Sequence, residues 1–228
     1  MNRTTLILMI ISGALACGSC HDNAQDTGPI IQKNTVTLSG DLLDPMVLNS
    51  FGRVSDPQVS PDGTKILYGV SYTSVEQNKS NRELFVMDLN GQNNRQITRS
   101  SKSESNARWL DNNTILFLSG GKLWKMDATG SEAEEIKGTD RPVSEFSLSP
   151  KRDRILFISN VKSGVKPTDR YPDLDKASGR IINDLMYRHW DCFVEEIPHS
   201  FLASFNGKSL DNVTDILEGL PYDLPTLP

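Results

Sequence analysis

A repeat of about forty residues constrains this chain more than any other feature. Met87-Asp88-Leu89-Asn90-Gly91 recurs as Met126-Asp127-Ala128-Thr129-Gly130, and Thr114-Ile115-Leu116-Phe117-Leu118-Ser119 recurs as Arg154-Ile155-Leu156-Phe157-Ile158-Ser159. The first copy of that apolar run is Lys65-Ile66-Leu67-Tyr68-Gly69-Val70. It is preceded by the turn Ser60-Pro61-Asp62-Gly63, which matches Ser149-Pro150-Lys151-Arg152 and, more distantly, Leu110-Asp111-Asn112-Asn113. A further Asn-Gly turn stands at Phe205-Asn206-Gly207-Lys208. Self-similarity at one period means one supersecondary unit stacked on copies of itself.

Each unit reads as four short strands. In the first unit they are expected near Asp56–Ser60, Lys65–Tyr72, Glu83–Leu89 and Arg95–Thr98. Pro61 presets φ for a type I turn, and Gly63 accepts the conformation that leaves it. Asn90-Gly91 is a hairpin signal because both residues tolerate positive φ. Ile66, Tyr68 and Val70 would share one face of their strand and Leu67 the other, so the strand is apolar on both sides and belongs in a stacked or radial array. Trp109 and Trp124 fall on strand positions and are expected in the blade core. Four-stranded units at this period are β-propeller blades. The expected fold is all-β: an incomplete propeller of about three WD40-like, TolB-type blades over residues 41–228.

The third unit is interrupted. Its second strand ends near Val161 and its third is expected only at Phe201–Phe205, leaving an insertion over about 162–199. An insertion of that length in a compact repeat serves a function or a partner. Ile181, Leu185 and Trp190 have helical spacing, so the insertion is expected to be partly helical. Three blades do not close a ring, which needs four to eight. The proline-rich end, Pro221 to Pro228, reads as a connection into a further blade, and the chain as the front of a longer protein or a truncated product.

The amino terminus reads as an address. Arg3 precedes an apolar run, Leu6–Ile11, and small residues at Ala14-Leu15-Ala16, the pattern of a secretory signal peptide over 1–16. The run is too short to span a bilayer. Cleavage before Cys17 would suit ordinary signal peptidase. It would equally make Cys17 the first mature residue and a candidate for acylation, hence a membrane tether, although Leu15 stands one position late for a lipoprotein box. Residues 17–40 are polar and aperiodic and read as a flexible tether. The chain is expected to be exported, either periplasmic or lipid-anchored to the bacterial envelope.

Composition narrows the function. Of 228 residues, 24 are Lys or Arg and 29 Asp or Glu, a net charge of −5 with no basic cluster, which argues against a nucleic-acid partner. Three cysteines make no disulfide framework. His189, Asp191, Cys192 and His199 fit no zinc spacing, so no metal or other cofactor is expected.

Leu43-Asp44-Pro45-Met46-Val47-Leu48, the stretch Arg53–Thr64, and Asp184-Leu185-Met186-Tyr187-Arg188-His189-Trp190-Asp191 followed by Ile197-Pro198-His199 resemble exported bacterial serine peptidases of the prolyl-oligopeptidase family. The dipeptidyl-peptidase V and acylaminoacyl-peptidase branch is the most similar. The resemblance implies a propeller that gates entry of short peptides to a C-terminal α/β-hydrolase domain, which would carry the nucleophile within G-x-S-x-G. No such motif occurs in these 228 residues, and no catalytic residue is assigned. Glu195 and Glu196 are candidates to hold a substrate's ammonium group, as paired carboxylates do in related dipeptidyl peptidases. Equally, they could be a solvated acidic pair. Tyr187, Arg188, His189 and Trp190 could line the passage between propeller and hydrolase, Arg188 through bidentate bonds to a peptide carboxylate or carbonyl; alternatively Tyr187 and Trp190 anchor the insertion and Arg188 pairs with Asp184. The rival reading is a non-catalytic TolB-type propeller that binds a periplasmic partner.

Overall fold

A computed structural model of the chain describes residues 28–38, 40–162, 167–176, 179 and 196–220. A short helix, α1 (Pro45–Ser50), leads into three consecutive four-stranded units. The first comprises β1 (Arg53–Val59), β2 (Lys65–Ser74), β3 (Lys79–Asp88) and β4 (Arg95–Gln96). The second comprises β5 (Glu104–Trp109), β6 (Thr114–Ser119), β7 (Lys122–Asp127) and β8 (Glu134–Glu135). The third comprises β9 (Glu145–Leu148), β10 (Arg154–Lys162), β11 (Glu196–Phe205) and β12 (Leu210–Asp215), with a four-residue helix, α2 (Pro167–Arg170), after β10. Each unit is one antiparallel sheet whose strands neighbour each other in chain order. These are propeller blades, and the three described sheets do not close into a ring.

Blades stack because their middle strands are apolar on both faces. In β6, Ile115 and Phe117 join Leu67, Leu84, Val86 and Trp109 in the cluster between the first two blades. The alternate residues, Leu116 and Leu118, join Phe146, Ile155, Phe157, Phe201 and Phe205 between the second and third. Phe157 stacks on Phe201 with ring centroids 5.3 Å apart. Trp109 is buried and Trp124 is partly buried against the first cluster, as their strand positions require.

The turns follow their sequences. The Ser60–Gly63 turn is closed by Gly63 N–H donating to the Ser60 carbonyl at 2.9 Å, and Arg152 N–H repeats the bond to Ser149 at 2.8 Å. Gly63 and Arg152 both have positive φ, +72° and +59°. At Asn90-Gly91 the expectation of two positive-φ residues is corrected: Gly91 has φ +84°, but the second left-handed residue is Asn93, at +54°. The loop is longer than a two-residue hairpin because Asp88 N–H reaches forward to the Gln92 carbonyl while Gly91 N–H closes back on Asp88.

The third blade departs from expectation at one edge. Its third strand begins at Glu196 rather than Phe201, and pairs with β10 in unbroken register from Arg154–Ser204 to Lys162–Glu196. Pro198 lies inside this strand. Ser200, two residues on, turns its carbonyl to Ile216 on the β12 side. Pro198 points the same way but beyond the end of β12 at Asp215, so its missing N–H leaves no ladder bond unmade. Alternating burial of Ile197, His199, Phe201, Ala203 and Phe205 then sets the face.

Asp44 caps α1, its Oδ1 accepting from Val47 N–H at 2.8 Å, with Pro45 in the first turn where no N–H is needed. Val47 is the buried residue of α1, and α1 contacts β2. Within the stretch expected to be a tether, Ile31 is buried and Asn34 Nδ2 donates to the Thr73 carbonyl at 3.0 Å.

Candidate functional site

Two polar constellations stand out, one in the seam between the first two blades and one at the root of the third-blade insertion. The seam begins with a bulge. Strand β1 slips register between Ser55 and Gln58, and β5 slips between Ser105 and Arg108. Each bulge holds a residue in the left-handed region, Asp56 at φ +50° and Asn106 at +47°, a conformation Asp and Asn tolerate better than most. The bulge turns these side chains toward the next blade. Asp56 Oδ2 meets Arg108 Nη1 at 2.7 Å, and Asn106 Nδ2 donates to the Phe146 carbonyl at 2.8 Å.

Behind Asp56, Arg82 of β3 donates from Nη1 to the Glu104 carbonyl at 2.7 Å and from Nε to Ser55 Oγ at 3.1 Å, with Asp56 at 4.0 Å. Burial lowers the Arg82 pKa from its ordinary value, partly offset by the Asp56 charge. Deeper still, Glu83 of β3 and Glu104 of β5 are both buried. Glu83 Oε1 accepts from Asn81 Nδ2 at 2.8 Å and Ser100 N–H at 3.1 Å, and its Oε2 lies 2.8 Å from Thr98 Oγ1. Glu104 Oε2 lies 3.3 Å from the same Thr98 oxygen, while its Oε1 lies 2.7 Å from Ser100 Oγ and 3.2 Å from Ser119 Oγ. Burial raises the pKa of both carboxyls. Glu104 is pushed up to about 7 by burial, with the Glu83 charge adding to the effect. Such a pair can hold a proton near neutrality. Both carboxyls are buried among the described residues, so the pair's chemistry is internal to the fold.

At the insertion root, His199 of β11 is buried, and its Nδ1 lies 2.8 Å from Asp215 Oδ2 of β12. Its Nε2 is buried without a hydrogen-bond partner among the described residues. Of the residues the sequence nominates for substrate, Glu196 is described: it is exposed, at the first position of β11, opposite Lys162. Lys162 pairs instead with Asp169, two residues into α2. Glu195, Tyr187, Arg188 and Cys17 lie outside the described residues, as do His189, Asp191 and Cys192 and the helical spacing at Ile181, Leu185 and Trp190. Among the described residues no three of His, Cys, Asp and Glu gather to hold a metal ion. None of the described helices is long and apolar enough to cross a membrane.

Sequence reasoning missed Glu83 and Glu104. A glutamate in a strand reads as solvent-facing, and the repeat gave no signal to the contrary: Glu104 stands opposite Ser119, whereas Ser159, forty residues on from Ser119, gives its hydroxyl to the Pro142 carbonyl at 2.7 Å.

No protein-family model matches the chain. Dipeptidyl-peptidase 5 of Porphyromonas gingivalis is 41% identical to it over 197 residues, 84% of this chain and 29% of that protein. This is peptidase-family N-terminal propeller sequence. Dipeptidyl-peptidase 5 of Porphyromonas endodontalis is 27% identical over 231 residues, 99% of this chain and 33% of that protein. The chain thus spans about a third of the length of these curated relatives. Among solved structures, the acylaminoacyl peptidase of Pyrococcus horikoshii aligns over 74% of this chain and 25% of its own, with a TM-score of 0.52 at 14% identity. That likeness bears on the fold of the peptidase-family propeller and on nothing else.

Proposed function

We propose that this chain is the propeller portion of an exported serine exopeptidase, gating and docking short peptides for a C-terminal hydrolase domain. The observation that supports this reading best is the 41% identity to a dipeptidyl-peptidase 5 over 84% of the chain. Nothing in residues 1–228 has the G-x-S-x-G pattern, so acyl transfer through a serine ester would belong to sequence beyond them. On this reading the insertion after β10 faces the peptide: Glu195 and Glu196 bind its free ammonium group, and Tyr187 and Arg188 line its path. Residues 1–16 direct export, and Cys17 is the candidate for acylation.

The test is to read the coding DNA beyond Pro228, express any continuous frame, and assay it beside the 228-residue chain on dipeptidyl and acyl-aminoacyl chromogenic substrates. Activity in the longer form alone supports a gate joined to a hydrolase. In that form, Glu195→Gln with Glu196→Gln should raise KM for substrates with a free amino terminus and leave acyl-blocked substrates unaffected. A frame that encodes only further blades overturns the peptidase reading and leaves a non-catalytic binding propeller.

A further inference from the structure

Around Glu83 and Glu104, two hydroxyls each have one hydrogen to divide between two acceptors. Thr98 Oγ1 accepts from Leu84 N–H at 2.8 Å and has a single hydrogen, with two carboxylate oxygens in reach. Given to the nearer, it completes three donors on Glu83, which suits an ionised carboxylate. Ser100 Oγ likewise accepts from Lys102 N–H at 3.0 Å and has one hydrogen for two acceptors, the Lys102 carbonyl and Glu104 Oε1, each at 2.7 Å. If Glu104 were ionised, that one hydrogen would serve either acceptor, leaving Glu104 with the longer Ser119 contact or turning the Lys102 carbonyl, on an exposed residue, to solvent. A proton on Glu104 Oε1, donated to Ser100 Oγ, frees the serine hydrogen for the Lys102 carbonyl and leaves Glu104 Oε2 as the one oxygen of the pair that receives no hydrogen.

We propose that Glu104 and Glu83 form a proton-operated latch: one proton on Glu104 fastens the connection over residues 97–104 across the first seam, and its loss unfastens it. The latch joins blades because Glu83 belongs to β3, Glu104 to β5, and Thr98 and Ser100 to the chain between them. The charged groups facing it are few. Arg99, on that connection, acts on Glu83; Arg82 of β3 acts on Glu104; and Arg82 is itself held by Asp56 of β1 beside Arg108 of β5. Asn81 and Ser119 supply neutral polar contacts from β3 and β6. A second ionised carboxylate would therefore sit buried beside the first. Opening the connection hydrates Glu104 and restores its ordinary acidity, so opening is favoured as the pH rises.

The experiment is amide hydrogen exchange on the 228-residue chain between about pH 5 and pH 8, with rates corrected for intrinsic exchange, a window that spans the ordinary glutamate range and neutrality. Peptides covering 97–104 should lose protection by up to about tenfold per pH unit and level off above neutral, as release of one proton allows. Peptides from β10 should show no such slope. In Glu104→Gln the slope should vanish, and in Glu83→Gln it should move to lower pH because the like charge is gone. A flat profile in the unaltered chain, or an unchanged slope in Glu104→Gln, overturns the proposal. Should Glu104→Gln fail to fold, infrared absorption of the unaltered chain decides: a neutral carboxyl band at about pH 6 that disappears by about pH 8 supports the latch, and its absence at pH 6 overturns it.

Discussion

The two seams between blades solve the same packing problem with different chemistry. Between the second and third blades the buried contact is mainly apolar, with Leu116, Leu118, Phe146, Phe157, Phe201 and Phe205 packed together, Arg141 lying 5.1 Å over the Phe201 ring, and Asn106 and Lys125 donating to the Phe146 and Gly207 carbonyls. Backbone closes it: Leu210 N–H donates to the Lys137 carbonyl at 2.7 Å. Between the first and second blades an apolar cluster around Leu67, Trp109 and Phe117 is overlaid by the Asp56, Arg82, Arg108 network and the buried carboxylates. An apolar seam gains free energy in proportion to area and has no pH dependence. A buried polar seam contributes little net stability when complete and costs much when broken, so it makes the junction specific and conditional.

The apolar seam should fail hardest. Phe157→Ala removes a ring that is 1% exposed and stacked on Phe201, and should cost about 3–5 kcal/mol, read as a lower denaturant midpoint. If the loss is under about 1 kcal/mol, the second seam is not the stable one. Gly138 tests how that seam closes. Its φ is +112°, and an added Cβ would stand 2.0 Å from the Leu210 carbonyl oxygen. Gly138→Ala should therefore cost about 2–3 kcal/mol by parting the Lys137–Leu210 contact, seen as faster exchange at Leu210.

The apolar seam was also the legible one. Its residues recur at the repeat period, so the strands, their order and the two-sided burial of β6 could be read from spacing. Glu83 and Glu104 could not, because the repeat identifies positions and not which of them lies beneath a connection. The start of β11 was hidden by Pro198, which reads as a strand breaker until the end of β12 is known. Glu196 was legible as an exposed acid at the insertion root, but its neighbour Lys162 turning to Asp169 depends on α2, which no periodicity announces.

In the polar seam a single charge matters less. Asp56 and Arg108 are each about a third exposed, so Asp56→Asn, which keeps the left-handed conformation accessible, should cost about 1 kcal/mol. A double-mutant cycle with Arg108→Met should recover most of it as coupling. Additivity of the two losses would mean the ion pair does not join the blades.

The smallest effect separates a seam carboxylate from an ordinary one. Glu135 of β8 is partly exposed; its burial would raise its pKa, but hydrogen bonds from Lys137 and Lys122 outweigh that and lower it. A carboxyl acidified by folding stabilises above its unfolded pKa and loses that contribution as the pH falls. Glu104, whose pKa folding raises to about 7, has the opposite sign: its contribution is complete below the unfolded glutamate range and is lost as the pH rises toward 7. The two acids therefore shape opposite limbs of one stability curve. Glu135→Gln should lower stability by about 0.5 kcal/mol at neutral pH, with the difference closing below about pH 4 and shrinking in high salt. Glu104→Gln should instead flatten the limb between about pH 5 and 7 and leave the acid limb in place. If both variants changed the same limb, the distinction between a solvated ion pair and a buried proton store would collapse, and burial at the first seam would have no electrostatic consequence.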